Sequence, residues 1–344
     1  MLNLRTGLVI ASLALSITLG LVLSRGPESA PVARSRPLIG LSMDTLKEAR
    51  WQRDRDRMTA KAASLGADLL VQSANSDDAR QIADVEALLT RKVDVLIVVP
   101  HDGTAMAKAV RMAHEAGIPV IAYDRMIRDV DVDLYVSFDN VRIGELQAKY
   151  LVERLPRGKI VRIYGAKSDN NAMLFKQGQD AVLAPYIARG DIKVVHEDWA
   201  EDWKPEAAKK IVNAAIAANG RNIDAILASN DGTAGGAIQA LLEEGLAGKV
   251  IVTGQDAELV ACQRIVAGTQ AMTIYKPIEK LATAAIESAV QIAKRRVVVA
   301  QRTVNNGKFE IPSILADVIV ATRDNLEETV IKDGFHTRAE VFGK

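Results

Sequence analysis

One cysteine, Cys262, is all that this chain of 344 residues carries. No disulfide can form within it, and a chain of this length buries enough apolar surface to do without one. Cys262 falls in "ELVACQRIVAG", at helical spacing with Leu259 and Ile265, where a small core residue is expected. Histidine is also scarce: His101, His114, His196 and His336 are scattered without the spacing of metal ligands. Neither charge is in excess, since 44 basic residues meet 43 acidic ones for a net charge of +1. That balance excludes a nucleic-acid binder relying on a broad basic face. The glycines of a nucleotide fold are missing as well. The first strand candidate runs into "IGLSMDT" rather than G-x-G-x-x-G, and "GLAGKV" lacks the upstream glycine and the Ser/Thr of a phosphate loop. No G-x-S-x-G elbow occurs. "RDVDVDLYV" starts like a calcium loop but has neither the glycine nor the final glutamate that such a loop requires, and reads as a solvated turn. The glycine-rich "NDGTAGGA" (230–237) precedes a helix, and tight packing of that helix against a strand accounts for it. Among enzyme templates, only a carboxylate pair for glycoside cleavage stays open, because its separation is a three-dimensional quantity.

What is present begins with Arg5 and an uncharged span at 6–24, 19 residues of mostly apolar and small side chains, followed by Arg25 and the polar "RGPESAPVARSRP". A basic start before an apolar run describes an export signal, and the length also suits a retained membrane anchor. Residues 1–36 are set apart on this ground, and the body of the chain is expected to be exported. From Pro37 onward, short β-rich runs such as "PLIGLSM", "VDVLIVVP", "IPVIAYD" and "IDAILASN" alternate with amphipathic stretches such as "DDARQIADVEALLTR". The runs are nearly continuous in apolar residues, as parallel strands covered on both faces must be. The pattern predicts an α/β fold. Ten or more strands exceed one comfortable sheet of this kind, so two lobes are expected, with a break near "SFDN" (137–140) and no flexible linker.

Polar residues stand at the ends of several strand candidates: Asp124 and Arg125, Asn230 and Asp231, Gln255 and Asp256, and Lys276. Ligands of open α/β sheets collect at the carboxyl ends of strands, so these residues mark a site between the lobes. Asp256 is also placed to cap the helix that follows it. Trp51 sits in "EARWQRDRD", where seven of nine residues are charged or amide-bearing. A flat indole among such residues suits the C–H face of a sugar, while Asp, Asn, Arg and Lys suit its hydroxyls. Trp203 in "EDWKPEAA" is placed to cover the opposite face, whereas Trp199 reads as packing and Asp44 as an additional contact.

The runs "ARWQRDRD", "YDRMI", "SFDN", "GELQAK", "DNNAMLF", "ASNDGTAGGAIQAL", "GQDAELV", "YKPI" and "VIKDGFH" carry a resemblance. From about residue 37 to 336 the chain resembles the ribose/galactose-type periplasmic sugar-binding proteins of ABC importers and, within that family, the D-xylose receptors. The resemblance implies an α/β fold of two Rossmann-like lobes with parallel sheets joined by a three-strand hinge, the type I periplasmic binding protein. It places the first lobe at 37–140 plus 277–301 and the second at 141–276 plus 302–344, with hinge crossings near 140, 276 and 301. It implies sugar contacts from Arg50, Trp51, Asp124, Arg125, Asn171, Trp203, Asn230, Asp256 and Lys276, the two tryptophans sandwiching the ring. The implied protein is a non-catalytic, monomeric periplasmic receptor without cofactor or metal, which binds D-xylose or a related monosaccharide between closing lobes. Its implied partners are an inner-membrane ABC permease and its ATPase, not nucleic acid. The alternative is a membrane-tethered sensor that signals to a chemotaxis receptor or a histidine kinase.

Overall fold

The computed structural model describes residues 36–343, so the expected signal or anchor at 1–36 lies outside the described residues but for its last position. The chain enters through β1 (Leu38–Met43), α1 (Ala49–Ser64), β2 (Asp68–Ser73), α2 (Asp78–Thr90), β3 (Val95–Val99), α3 (Ala107–Glu115), β4 (Val120–Tyr123) and β5 (Leu134–Phe138). These strands pair in parallel in the order β5-β4-β3-β1-β2. Every residue of β3, β4 and β5 is buried, the physical counterpart of their unbroken apolar runs.

The chain then moves to a second sheet. Asp139 accepts a hydrogen bond from the Arg142 backbone N–H and so starts α4 (Asn140–Arg154), the expected break being marked by an N-cap. There follow β6 (Gly158–Tyr164), α5 (Asn170–Ala188), β7 (Ile192–Trp199), a 3₁₀ turn at Glu201–Trp203, α6 (Pro205–Asn219), β8 (Ala225–Ala228), α7 (Asp231–Glu243), β9 (Ile251–Val252) and α8 (Leu259–Ala267). The strands run parallel in the order β7-β6-β8-β9. Asn230 and Thr233 make a reciprocal capping box at the start of α7. The glycines of "NDGTAGGA" lie inside this helix, and the close approach is to another helix rather than to a strand: a Cβ on Gly236 would stand 1.9 Å from the Pro205 carbonyl oxygen at the start of α6.

β10 (Thr273–Tyr275) leads back to α9 (Ile278–Ala293), whose Leu281, Ala282, Ala285, Ile286 and Ala289 join Ile39, Val95, Ile97 and Val136 in the core of the first lobe. The third crossing differs from the expectation. β11 (Arg302–Asn305) and β12 (Glu310–Ala316) belong to the first sheet, not the second, with β12 parallel to β5 and β11 antiparallel to β12. The first lobe therefore extends to residue 316, and the chain leaves it only before β13 (Ile319–Ala321), which pairs antiparallel with β10. Hydrogen bonding to β5, some 175 residues earlier, decides this assignment, and nothing local in 302–316 announces it. The last segment, a π turn at Glu327–Ile331 and α10 (Arg338–Phe342), packs Leu326, Val330 and Val341 against Cys262, Ile265 and Tyr275. Cys262 is a fully buried core residue.

Candidate functional site

The carboxyl ends of both sheets face one cleft. It is lined by Glu48, Arg50, Trp51, Asp124, Arg125, Asp169, Asn171, Phe175, Trp203, Asn230, Gln255, Asp256, Glu258 and Lys276, so that all nine expected positions meet there. Arg50 and Trp51 come from the first turn of α1, Asp124 and Arg125 from the end of β4, Asn171 from the start of α5, and Trp203 from the turn after β7. Asn230 follows β8, Asp256 follows β9, and Lys276 follows β10. The inward stripe of α1 explains why Trp51 occurs among charges. Arg50, Asp54, Met58 and Ala62 recur every fourth residue and are all buried, with Trp51 beside them at 5% exposure. The stripe is polar where it meets the cleft and apolar where it meets the core.

Charges in the cleft are paired across short distances. Arg50 donates to Asp124, lies 3.4 Å from Asp256 and 3.4 Å from Asp54. The Lys276 Nζ, only 2% exposed, sits 3.0 Å from Asp256 and 3.9 Å from Asp124. Arg125 reaches Asp44 at 2.7 Å in its own lobe and Asp169 at 3.1 Å in the other. Burial alone would raise the Asp124 carboxyl, but Arg50, Lys276 and Arg125 outweigh it and hold Asp124 below the usual carboxylate range. Asp54, which accepts from the Tyr123 hydroxyl, is pushed by burial to about 6 against the pull of Arg50. Each cation already faces carboxylates, so a charged ligand would leave one of them buried and unpaired. A neutral ligand rich in hydroxyls meets donors and acceptors at little cost.

The aromatic groups are held as firmly. The Trp51 ring lies 4.3 Å from the Arg50 guanidinium carbon and 5.2 Å from that of Arg125, and Phe138 lies beneath Arg50 and Lys276. The Trp203 indole N–H donates to Asp169 at 3.2 Å, and its ring meets Phe175 edge-on at 6.3 Å. It also presses on Gly165, where a Cβ would come within 2.0 Å of the indole. Asp124, Trp203 and Asp256 all adopt left-handed backbone angles, with φ of 61°, 57° and 97°. Each costs about 1–3 kcal/mol in a residue other than glycine, a strain that collects at ligand sites.

Asp256 does not cap a helix: α8 begins at Leu259 with Glu258 as its N-cap, and Asp256 turns into the cleft instead. Asp44 lies behind the site, gripping Arg125 rather than lining the cleft. Trp199 stacks on Tyr164 at 4.8 Å, as packing. Gln255, expected near the site as a strand-end residue, lines the cleft, whereas Glu48, Asp169, Phe175 and Glu258 were not expected there. Two of them had a sequence signal, since Asp169 is the N-cap just before Asn171 and Phe175 is one helical turn after it. Among the described residues, no group of three or more His, Cys, Asp or Glu could hold a metal ion.

Comparison with known proteins agrees with this geometry. Residues 39–296 match the family model of the periplasmic binding protein domain. The D-xylose-binding periplasmic protein of Haemophilus influenzae is 50% identical over 311 residues, covering 90% of this chain and 94% of that one. The D-xylose-binding periplasmic protein of Escherichia coli is 50% identical over 303 residues, covering 88% and 92%. Among solved structures, a carbohydrate transporter solute-binding protein of Chloroflexus aurantiacus in complex with D-glucose superposes with a TM-score of 0.83 at 34% identity, covering 88% of this chain and 97% of that one. With two parallel α/β lobes, a paired-charge cleft between them and these relatives, the chain belongs to the periplasmic binding protein family.

Proposed function

We propose that this protein is a non-catalytic periplasmic receptor that binds D-xylose between its lobes and delivers it to an inner-membrane ABC permease and its ATPase. The observation that carries the reading is the convergence of Arg50, Asp124, Asp256 and Lys276 with Trp51 and Trp203 in one cleft. Half-identical relatives named for D-xylose support the choice of sugar. In this reading the two indoles, one from each lobe, cover the C–H faces of the pyranose ring. The carboxylates accept from its hydroxyls while Arg50, Arg125, Asn171, Asn230 and Lys276 donate to its oxygens, with charged partners strengthening each bond. Sugar binding completes contacts from both lobes at once, and the closed shape is what a permease would read. Export by the N-terminal segment is part of the same proposal.

Calorimetric titration of the purified protein with D-xylose, D-ribose, L-arabinose, D-glucose and D-galactose tests it. One-to-one binding tightest for D-xylose is expected. Absence of saturable binding by any pentose or hexose at millimolar sugar overturns the receptor reading, and turnover of the sugar overturns its non-catalytic character.

A further inference from the structure

Beside the sugar cleft lies a chamber of about 640 Å³ between the lobes, lined on one side by His101 and on the other by Asp202, Trp203 and Lys204. His101 follows β3 in the first lobe and is held in place there. Its backbone N–H donates to Gln81 Oε1 at 2.9 Å, and its Nδ1 lies 2.9 Å from Asp78 Oδ1. The other ring nitrogen, Nε2, is buried without a hydrogen-bond partner among the described residues and points across the chamber to Asp202 Oδ1, 3.7 Å away in the second lobe. Asp202 precedes Trp203 in a turn where both residues have left-handed backbone angles, φ 48° and 57°. This turn carries the indole that lines the sugar cleft.

We infer that His101 is a positioning residue for the sugar site, an imidazolium clasp that ties the Trp203 turn of the second lobe to the first. The inference rests on the receptor reading above and adds a regulation to it. The chemistry follows from the tautomers. Asp78 is an acceptor and keeps a proton on Nδ1, so a neutral ring turns its Nε2 lone pair toward the Asp202 carboxylate, which repels it. The protonated ring donates to both carboxylates and draws the lobes together. The other charged groups around the chamber are Asp44, Lys47, Glu48, Arg125 and Lys204. Burial lowers the His101 pKa, but the bond to Asp78 and the charges of Asp44 and Asp78 outweigh burial and Arg125, so it stands above its ordinary value. Lys204 bonds Asp202 and holds that carboxyl below its usual range, so it stays ionised. Because the folded pKa of His101 is raised, the clasp is in full force below the ordinary histidine value near pH 6.5 and is lost as pH rises through the raised one.

Titrating the full protein with D-xylose at pH 6 and pH 8.5, and following dissociation by stopped flow, tests the clasp. Wild type is expected to lose about two- to fivefold in affinity over this interval, chiefly through faster dissociation. His101→Gln and Asp202→Asn are expected to bind more weakly at pH 6 and to lose that pH dependence. Glu258 also lines the cleft and titrates at about 7, so a wild-type slope retained in His101→Gln assigns the effect elsewhere and overturns the clasp. A flat wild-type profile overturns it too. A second readout needs no sugar: the imidazole proton resonances of His101, assigned by their loss in His101→Gln, should titrate above pH 6.5 in wild type and lower in Asp202→Asn. Equal midpoints in the two proteins overturn the clasp even if no sugar binds, whereas failure of sugar binding alone strikes the receptor reading.

Discussion

Trp51 and Trp203 owe their places to neighbours that fix them rather than to apolar surroundings alone. Trp51 is covered by two guanidinium groups, and Trp203 is tied by its N–H to Asp169 and seated on Gly165. Either truncation to alanine removes a rigid stacking face from an enclosed cleft. Each is expected to weaken D-xylose binding by about 1–3 kcal/mol, as calorimetry on the folded variant would read. Glu258 makes a prediction of the opposite kind. Burial first, and then Asp256 and Glu48, push its carboxyl up to about 7, with Arg264 opposing. A carboxyl whose folded pKa is raised holds its proton more tightly when folded, so it costs stability as pH climbs from its ordinary value near 4.3 through 7. Glu258→Gln keeps the neutral form at every pH. Without ligand it is expected to match wild type at pH 4.5 and to be more stable at pH 8 by about 1–2 kcal/mol, screening by water at the cleft mouth being allowed for. Equal melting curves at pH 8 would refute that.

At the scale of elements, α1 shows what periodicity can carry. Its inward stripe at Arg50, Asp54, Met58 and Ala62 is visible in the sequence as a four-residue repeat, but the polar half of the stripe disguises it as a wet face. Only the meeting of α1 with β4 and the second lobe shows that the charges are paired and buried. Helix starts are set locally, although the one cap expected from the sequence, at Asp256, did not form. Asp139, Asp169 and Asn230 each accept from a backbone N–H two or three residues ahead, which is a local act that local sequence encodes. The glycines of α7 were legible as a close approach, though not as to what. Gly236 lets α7 touch the first residue of α6, and Gly236→Ala would press a methyl into the Pro205 carbonyl. Backbone cannot give way as a side chain does, so a loss of about 1–3 kcal/mol in unfolding free energy by urea denaturation is expected.

For the whole molecule, both lobes are discontinuous in sequence: α9, β11 and β12 return to the first lobe after β10, and β13 with the last helical segments then goes back to the second. α9 covers the face of the sheet formed by Ile39, Leu41, Val95 and Ile97, and β12 extends the sheet beyond β5. A chain ended after Lys276 would leave that face covered only by α1, whose Met58 and Ala62 share the core. It is expected to lose cooperative unfolding of its first lobe and to aggregate, measured by circular dichroism melting and light scattering, while a chain ended after 340 keeps the core of that lobe. Three passages join the lobes, near 140, 276 and 317, a connection of the kind that serves as a hinge in ligand-binding proteins.

The sequence by itself determined the class of the fold, the division into two lobes and the strand ends at which the site forms. These depend on apolar runs, turns and caps that act over a few residues. The strand-end rule pointed to Asp124, Arg125, Asn230, Asp256 and Lys276, because the polar residue following a buried strand is exposed to whatever that end of the sheet faces, whereas Arg50, Trp51, Asn171 and Trp203 were expected at the site through the family resemblance. Tertiary structure alone decided the rest. Whether Asp256 would cap a helix or turn inward depended on a backbone angle of 97° held by its surroundings. Whether 302–316 joined the first or the second sheet depended on hydrogen bonds to β5, and the inclusion of Glu48 and Glu258 in the cleft depended on how closely the lobes approach. Strand pairing and lobe contact bring together residues far apart in the chain, and no local pattern encodes which distant surface a residue will meet.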